Sequence, residues 1–181
     1  MLVTFPDGSQ RTYEDTATAL DIANSISPRL GKATLACEID GKVCDDFMPI
    51  GHDCQLKLLT FEDDGGRRTY RHTASHVLAQ AVKRLHPEIK LAIGPSIDNG
   101  FYYDFDAPQP FTPEDLAAIE KEMAKIQKEN LPLERFELPR EEAIRYMEEK
   151  EEPYKVELIR DLPEDAVISF YRQGEFVDLC A

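Results

Sequence analysis

The sequence of 181 residues contains no tryptophan, and its four cysteines (Cys37, Cys44, Cys54 and Cys180) form no close pair. The missing Cys-x-x-Cys spacing argues against a structural zinc site, and the thiols read as reduced rather than as a disulfide frame. Positive charge is scarce: 21 Lys+Arg face 35 Asp+Glu, giving a net charge of −14. Nucleic-acid binders draw much of their affinity from neutralising phosphates, so bulk charge excludes strong binding of that kind. Basic residues cluster only locally, at Arg67-Arg68, Arg71 and Lys83-Arg84, and on charge alone these spots read as solvated surface. No apolar run approaches the ~20 residues of a membrane span. The N-terminus, Met1-Leu2-Val3-Thr4-Phe5-Pro6-Asp7-Gly8, lacks both a basic region and a long apolar run, so it does not read as a signal peptide. What is present, 42% hydrophobic and 31% charged residues, fits a globular protein of one or two small domains.

Residues 1–61 read as a small β-rich unit. Leu2 to Phe5 alternate, Pro6-Asp7-Gly8-Ser9 turns, and Arg11 to Tyr13 return as a hairpin. Leu20, Ile22, Ala23 and Ile26 form a helical stripe, entered through Thr16 or Thr18 and stopped by Pro28. Thr34 to Ile39 and Lys42-Val43 make a second hairpin about Asp40-Gly41, and Gln55 to Phe61 a closing strand. Hairpin, helix, hairpin, strand is the order of a β-grasp, ubiquitin-like fold. Apolar periodicity lapses at Glu62-Asp63-Asp64-Gly65-Gly66, which places a linker at 62–67. Residues 68–181 read as α+β, with an antiparallel sheet and helices. Helices are expected from about Tyr70 to Leu85, from Thr112-Pro113 onward and from about Arg140 to Glu149; strands at Leu91–Ile93, Phe101–Phe105, Ala166–Tyr171 and Glu175–Cys180.

The helix near residue 70 carries His72 and His76. Stepping about 100° per residue puts Val77, Leu78, Ala81, Val82 and Leu85 opposite His76, while His72, Gln80 and Lys83 lie within roughly 40° of it. The histidines therefore share a polar ridge, either a solvated face or a site. Such a pair can hold a metal with Cys180 as third ligand, supply acid–base catalysis near neutral pH, or act with Cys180 as a nucleophile–base pair. No Glu follows His72, so the metalloprotease pattern is absent. Tyr102-Tyr103 read as strand aromatics, one inward and one outward, and Lys155 on its own reads as a surface lysine. Asp178, two before Cys180, shares its face on a regular strand. A neighbouring carboxylate raises a thiol pKa, which argues for Cys180 as a binding group rather than a nucleophile.

The segments His72-Thr73-Ala74-Ser75-His76, Ile93 to Asp104 with its Asn99-Gly100-Phe101-Tyr102-Tyr103-Asp104 stretch, Tyr154-Lys155 and Phe176-Val177-Asp178-Leu179-Cys180 occur in this order. In this the chain resembles the N-terminal part of the bacterial threonyl-tRNA synthetases: residues 1–61 their TGS domain, residues 68–181 their editing domain. The resemblance implies hydrolysis of serine wrongly esterified to threonine tRNA, with His72, Lys155 and His76 catalytic and Tyr103, Asp178 and Cys180 binding the substrate. It implies no metal for this stretch, with zinc on His72, His76 and Cys180 the lesser alternative. That family's motif continues with a histidine that would fall just past Ala181, so the resemblance implies a domain incomplete at its C-terminus. ATP, magnesium and a further zinc belong to an aminoacylation core outside this sequence. The implied partners are the acceptor end of threonine tRNA and, in the full-length protein, a second copy in a homodimer, in the cytoplasm and without a membrane. A reading of another class is a non-catalytic RNA-binding or regulatory TGS module.

Overall fold

The computed structural model describes residues 1–180; Ala181, where the second expected domain ends, lies outside them. The chain divides into two compact units, Met1–His72 with Ser96–Gly100, and Thr73–Pro95 with the chain from Phe101 onward.

In the first unit β1 (Leu2–Thr4) and β2 (Gln10–Thr12) form the expected antiparallel hairpin. Helix α1 (Ala19–Ile26) begins at Thr18, which accepts from the Asp21 N–H while Asp21 accepts from the Thr18 N–H. This reciprocal cap satisfies two donors that the helix cannot. Ser27 ends α1, but Pro28 does more than stop it: Pro28 opens α2 (Pro28–Ala33), with Ser27 as N-cap. Proline suits a first helical position, where its missing N–H would have no helical partner. Strands β3 (Ala36–Ile39), β4 (Lys42–Cys44) and β5 (Cys54–Leu59) complete a sheet of order β2-β1-β5-β3-β4. β5 runs parallel to β1 and antiparallel to β3. Its Cys54 and Leu56 are buried and its Gln55 and Lys57 exposed, the period-2 pattern of a sheet covered on one face. Val3, Ala19, Ile22, Cys37 and Leu56 form the core, and the topology is the expected β-grasp.

Helix α3 (Asp64–Leu85) starts at Asp64, earlier than the expected Tyr70. The glycine pair expected in a linker over 62–67 thus lies in the first turn of a helix. A Cβ on Gly66 would fall 2.0 Å from the Thr60 carbonyl oxygen, so glycine permits close packing there. Each glycine lowers helix propensity by about 1 kcal/mol relative to alanine, which is why the helical signal lapsed at this turn.

The second unit begins within α3. After β6 (Lys90–Leu91) the chain passes through the short hairpin of β7 (Ser96–Ile97) and β8 (Gly100–Phe101), whose residues Ser96–Gly100 belong to the first unit, and returns to β9 (Phe105–Asp106), which pairs with β6. The strand expected over Phe101–Phe105 is therefore interrupted at 102–104. Helix α4 (Pro113–Glu129) has Thr112 as its cap, as expected, and ends at Asn130 in the left-handed region, φ 48°. β10 (Leu133–Glu137), α5 (Arg140–Glu149), α6 (Pro153–Asp161), β11 (Ser169–Gln173) and β12 (Phe176–Leu179) follow. The three strands form one antiparallel sheet, β10-β11-β12. α5 and α6 cover it through Met147, Val156, Ile159 and Phe170, and α4 packs on α3 through Ile119, Ile126, Ala81 and Val82. The fold class is α+β. No described helix is long and apolar enough to cross a membrane.

Candidate functional site

The polar ridge of α3 is not solvated. His76 is 8% exposed and Gln80 is 0% exposed, so this helix is covered on its polar side as well as its apolar one. The groups that meet His76 there are themselves ionisable.

Asp178 on β12 is 2% exposed and fully engaged. Its Oδ1 accepts from Lys155 Nζ at 2.8 Å and from the Leu179 N–H at 2.8 Å, and its Oδ2 accepts from the Tyr103 hydroxyl at 2.6 Å. Lys155 also donates to the Tyr103 oxygen at 3.0 Å, and His76 Nδ1 stands 3.7 Å from Asp178 Oδ2. Four elements of the second unit thus converge: α3, the 102–104 segment, α6 and β12. Burial alone would raise the Asp178 carboxyl pKa; the charges of Lys155 and His76 and the hydrogen bonds from Lys155 and Tyr103 outweigh it and hold the group below its ordinary value. Burial and the adjacent carboxylate push the Tyr103 phenol far above its ordinary value, so it stays a proton donor.

The position of Tyr103 has a local cause. A Cβ on Gly94 would lie 2.1 Å from the Tyr103 ring, so only glycine allows that ring to press on the 93–95 backbone. The buried Ser75 hydroxyl donates to the Gly94 carbonyl at 2.8 Å, and Phe105 stacks on Tyr103 at 4.8 Å. Tyr102 is 44% exposed against 9% for Tyr103, the expected outward–inward pair even though the ladder is broken there.

Around this cluster lie charges that sequence reasoning did not assign. Glu152 opens α6 one turn before Lys155. Its buried carboxylate accepts from the Leu91 N–H at 2.8 Å and pairs with Lys83 at 2.8 Å. Arg84 meets Glu129 at 2.7 Å and Glu175 at 2.5 Å. The hydrogen bond from Arg84 is the main cause that holds the Glu175 carboxyl at about 2. The one signal that could have found this layer is Lys83 itself, which shares the ridge of His76.

Of the residues expected at a site, the structure brings His76, Tyr103, Lys155 and Asp178 together. Lys155, which reads as a surface residue on its own, is 3% exposed. Cys180 follows β12, and its N–H donates to the Ser169 carbonyl at 2.8 Å. Its sulfur lies within 4.8 Å of a ring nitrogen of His76. His72 stands one helical turn before His76 on α3. Imidazoles and a thiolate are a donor set that suits zinc.

A family model described as "TGS domain" matches residues 1–60. A threonine–tRNA ligase of Acetivibrio thermocellus is 63% identical over 179 residues, and one of Clostridium acetobutylicum is 65% identical over 179. A threonine–tRNA ligase of Caldanaerobacter subterraneus subsp. tengcongensis is 56% identical over 181 residues. These matches cover 99%, 99% and 100% of this chain, and the chain spans 28% of the length of each relative. A β-grasp TGS domain followed by an α+β unit of this sequence places the chain among the TGS-bearing aminoacyl-tRNA synthetases. Within them it corresponds to the N-terminal region of the threonine–tRNA ligases.

Proposed function

We propose that the second unit is an editing hydrolase. It cleaves serine from wrongly charged threonine tRNA, in support of accurate aminoacylation by the longer protein. The observation that carries the reading is the buried Asp178–Lys155–Tyr103 cluster beside His76. The need for such a site is physical. Serine lacks one methyl group of threonine, and one methyl in a pocket discriminates by only about 1–3 kcal/mol.

An ammonium has three N–H donors. Two from Lys155 go to Asp178 and Tyr103, which leaves one to meet the oxyanion that forms when water attacks the ester carbonyl. In this reading Asp178, saturated by its partners, anchors Lys155 and Tyr103. His72, one turn before His76, takes the proton of the attacking water, since an unperturbed imidazole titrates near neutral pH, while His76 stays beside the Asp178 carboxylate. The new bond joins water oxygen to the carbonyl carbon. The ester C–O bond breaks, the proton passes to the ribose oxygen of the terminal adenosine, and serine and tRNA leave. Tyr103 and Cys180 shape the pocket for the seryl group.

The test is serine release from seryl-tRNA for threonine, by this chain and by a form extended beyond Ala181. We expect hydrolysis of the seryl ester and sparing of the threonyl ester. Lys155→Met should reduce the rate about 10²–10³-fold, the loss of one oxyanion donor. Equal hydrolysis of both esters, or a Lys155→Met variant at the unmodified rate, would refute the proposal.

A second reading has one observation behind it, the proximity of His76 and Cys180 donors. Zinc held there, with His72 as a further ligand from the same helix, would supply a polarised water. Loss of serine release with a chelator and its return with zinc would favour this reading.

A further inference from the structure

The net charge of −14 poses a problem for any RNA-directed role, because long-range repulsion must be overcome locally. In the first unit, Arg67, Arg68 and Arg71 line one open recess of about 380 Å³, floored by the 96–98 turn. On α3, positions 67 and 71 share a ridge and position 68 is its immediate neighbour round the helix. Arg67 is held by the Phe61 carbonyl at 3.0 Å, the Glu62 carbonyl at 2.8 Å and the Asp64 carboxylate. Arg71 donates through Nη1 to the carbonyls of Ile97, at 3.3 Å, and Asp98. Both guanidiniums are thus oriented in advance, so less side-chain entropy is lost when a ligand arrives. Arg68 is exposed and holds no ion pair among the described residues. Asp64 and Asp98 also line the recess. Set against three arginines they leave one net positive charge, the complement of a single phosphodiester.

The geometry points to a phosphate-binding recess for an RNA backbone at Arg67, Arg68 and Arg71. RNA is favoured over a free anion by the aromatics beside it. Tyr70, next to Arg71, is 52% exposed and meets Phe61, 47% exposed, edge-to-face at 5.5 Å. Exposed rings beside a guanidinium are how single-stranded bases are stacked while their phosphates are held. The inference rests on the proposed tRNA-directed function for the identity of the RNA, but not for the chemistry of the recess. It places a backbone contact on residues of the first unit.

The test measures binding of a threonine tRNA acceptor-stem hairpin with a single-stranded 3′ end to this chain, by fluorescence anisotropy over a series of salt concentrations. Arg68→Gln and Arg71→Gln should each weaken binding. Each should also flatten the dependence of log affinity on log salt by about 0.7–0.9, the release of one phosphate contact. Arg11→Gln, an exposed arginine of the same unit, should do neither. Arg68→Gln keeps the test sound if Arg71→Gln disturbs the 96–98 turn, since Arg68 anchors nothing. Unchanged affinity and slope in Arg68→Gln, or no hairpin binding at low salt, would overturn the proposal. So would displacement of the hairpin by low-millimolar inorganic phosphate at matched ionic strength, which would mark an anion site without preference for RNA. Serine release read on the same variants separates the two proposals. A protein that binds RNA through the recess but does not hydrolyse the ester refutes the editing reading alone.

Discussion

The two units bury different chemistry. Among the described residues the first unit buries one polar side chain, Thr34, whose hydroxyl donates locally to the Leu30 carbonyl. The second buries eight, including His76, Glu152, Lys155 and Asp178. Removing an ion from water costs several kcal/mol even after relaxation, and well-packed apolar residues often replace a buried pair without loss. The first unit is built as the hydrophobic effect dictates. The second carries an expense that folding does not require, and the editing proposal gives that expense a use.

The largest effect that would sharpen this contrast is the removal of one partner of the buried pair. Lys155→Met strands the Asp178 carboxylate and should cost the second unit about 3–5 kcal/mol. Urea titration followed by NMR of methyl groups in each unit should show Ile159 and Val177 losing their signals early while Ile22 and Leu56 hold. Joint loss would mean that the units do not respond separately.

The mirror experiment is Leu56→Ala in the β-grasp core. It removes a side chain 1% exposed and should cost about 2–5 kcal/mol, the range for a large-to-small core change. The same titration should now show the first unit yielding first.

Acid should separate the units more weakly and with opposite signs. The Asp178 carboxyl is depressed in the folded state, so its contribution is present above the ordinary carboxylate range and lost as pH falls through the depressed value. Asp46 in the first unit is raised by burial, so its contribution is present at low pH and lost as pH rises through the raised value. Below about pH 4 the second unit should therefore lose its native signals before the first. The reverse order would contradict the assignment of these two carboxylates.

The smallest expected effect is shared by both units. Thr18→Ala and Thr112→Ala each remove a reciprocal helix cap and should each cost about 1 kcal/mol, measured as a shift in urea midpoint. A much larger cost at either would show that the hydroxyl does more than cap.

The β-grasp was legible because its strands are covered on one face, so alternation survives in the sequence, and its turns carry Asp-Gly and Pro-Asp-Gly. The helix Arg140–Glu149 was legible for the corresponding reason, a single apolar stripe. Three features were hidden by packing of another kind. Gly65 and Gly66 read as a break because close packing, of Gly66 on the Thr60 backbone and of Gly65 on the Leu59 and Val43 side chains, places glycine within a helix. β10 raises no strand expectation because Glu134, Arg135 and Glu137 dilute its alternation. α6 buries Lys155 where a helical stripe would show an apolar residue, so it did not register as a helix. At the candidate site the histidine ridge followed from helical geometry, but whether it met water or other charges depended on long-range packing. The convergence of Tyr103, Lys155 and Asp178 was reached through resemblance. Glu152 gave no local sign, and Arg84, which reads as solvated surface beside Lys83, instead pairs with Glu129 and Glu175, partners that lie tens of residues away.

The central claim is that the buried charges of the second unit serve chemistry rather than stability. The direct test is a combined variant, Tyr103→Phe with Lys155→Met and Asp178→Leu, measured for urea stability and for serine release from seryl-tRNA in this chain and in the form extended beyond Ala181. Replacing the whole group leaves no stranded charge or hydroxyl among these three side chains, so the account predicts stability at or above that of the unmodified protein. It also predicts a fall in serine release of at least about 10²-fold. A variant that hydrolyses the ester at the unmodified rate would contradict the account, because the cluster would then have no part in the reaction.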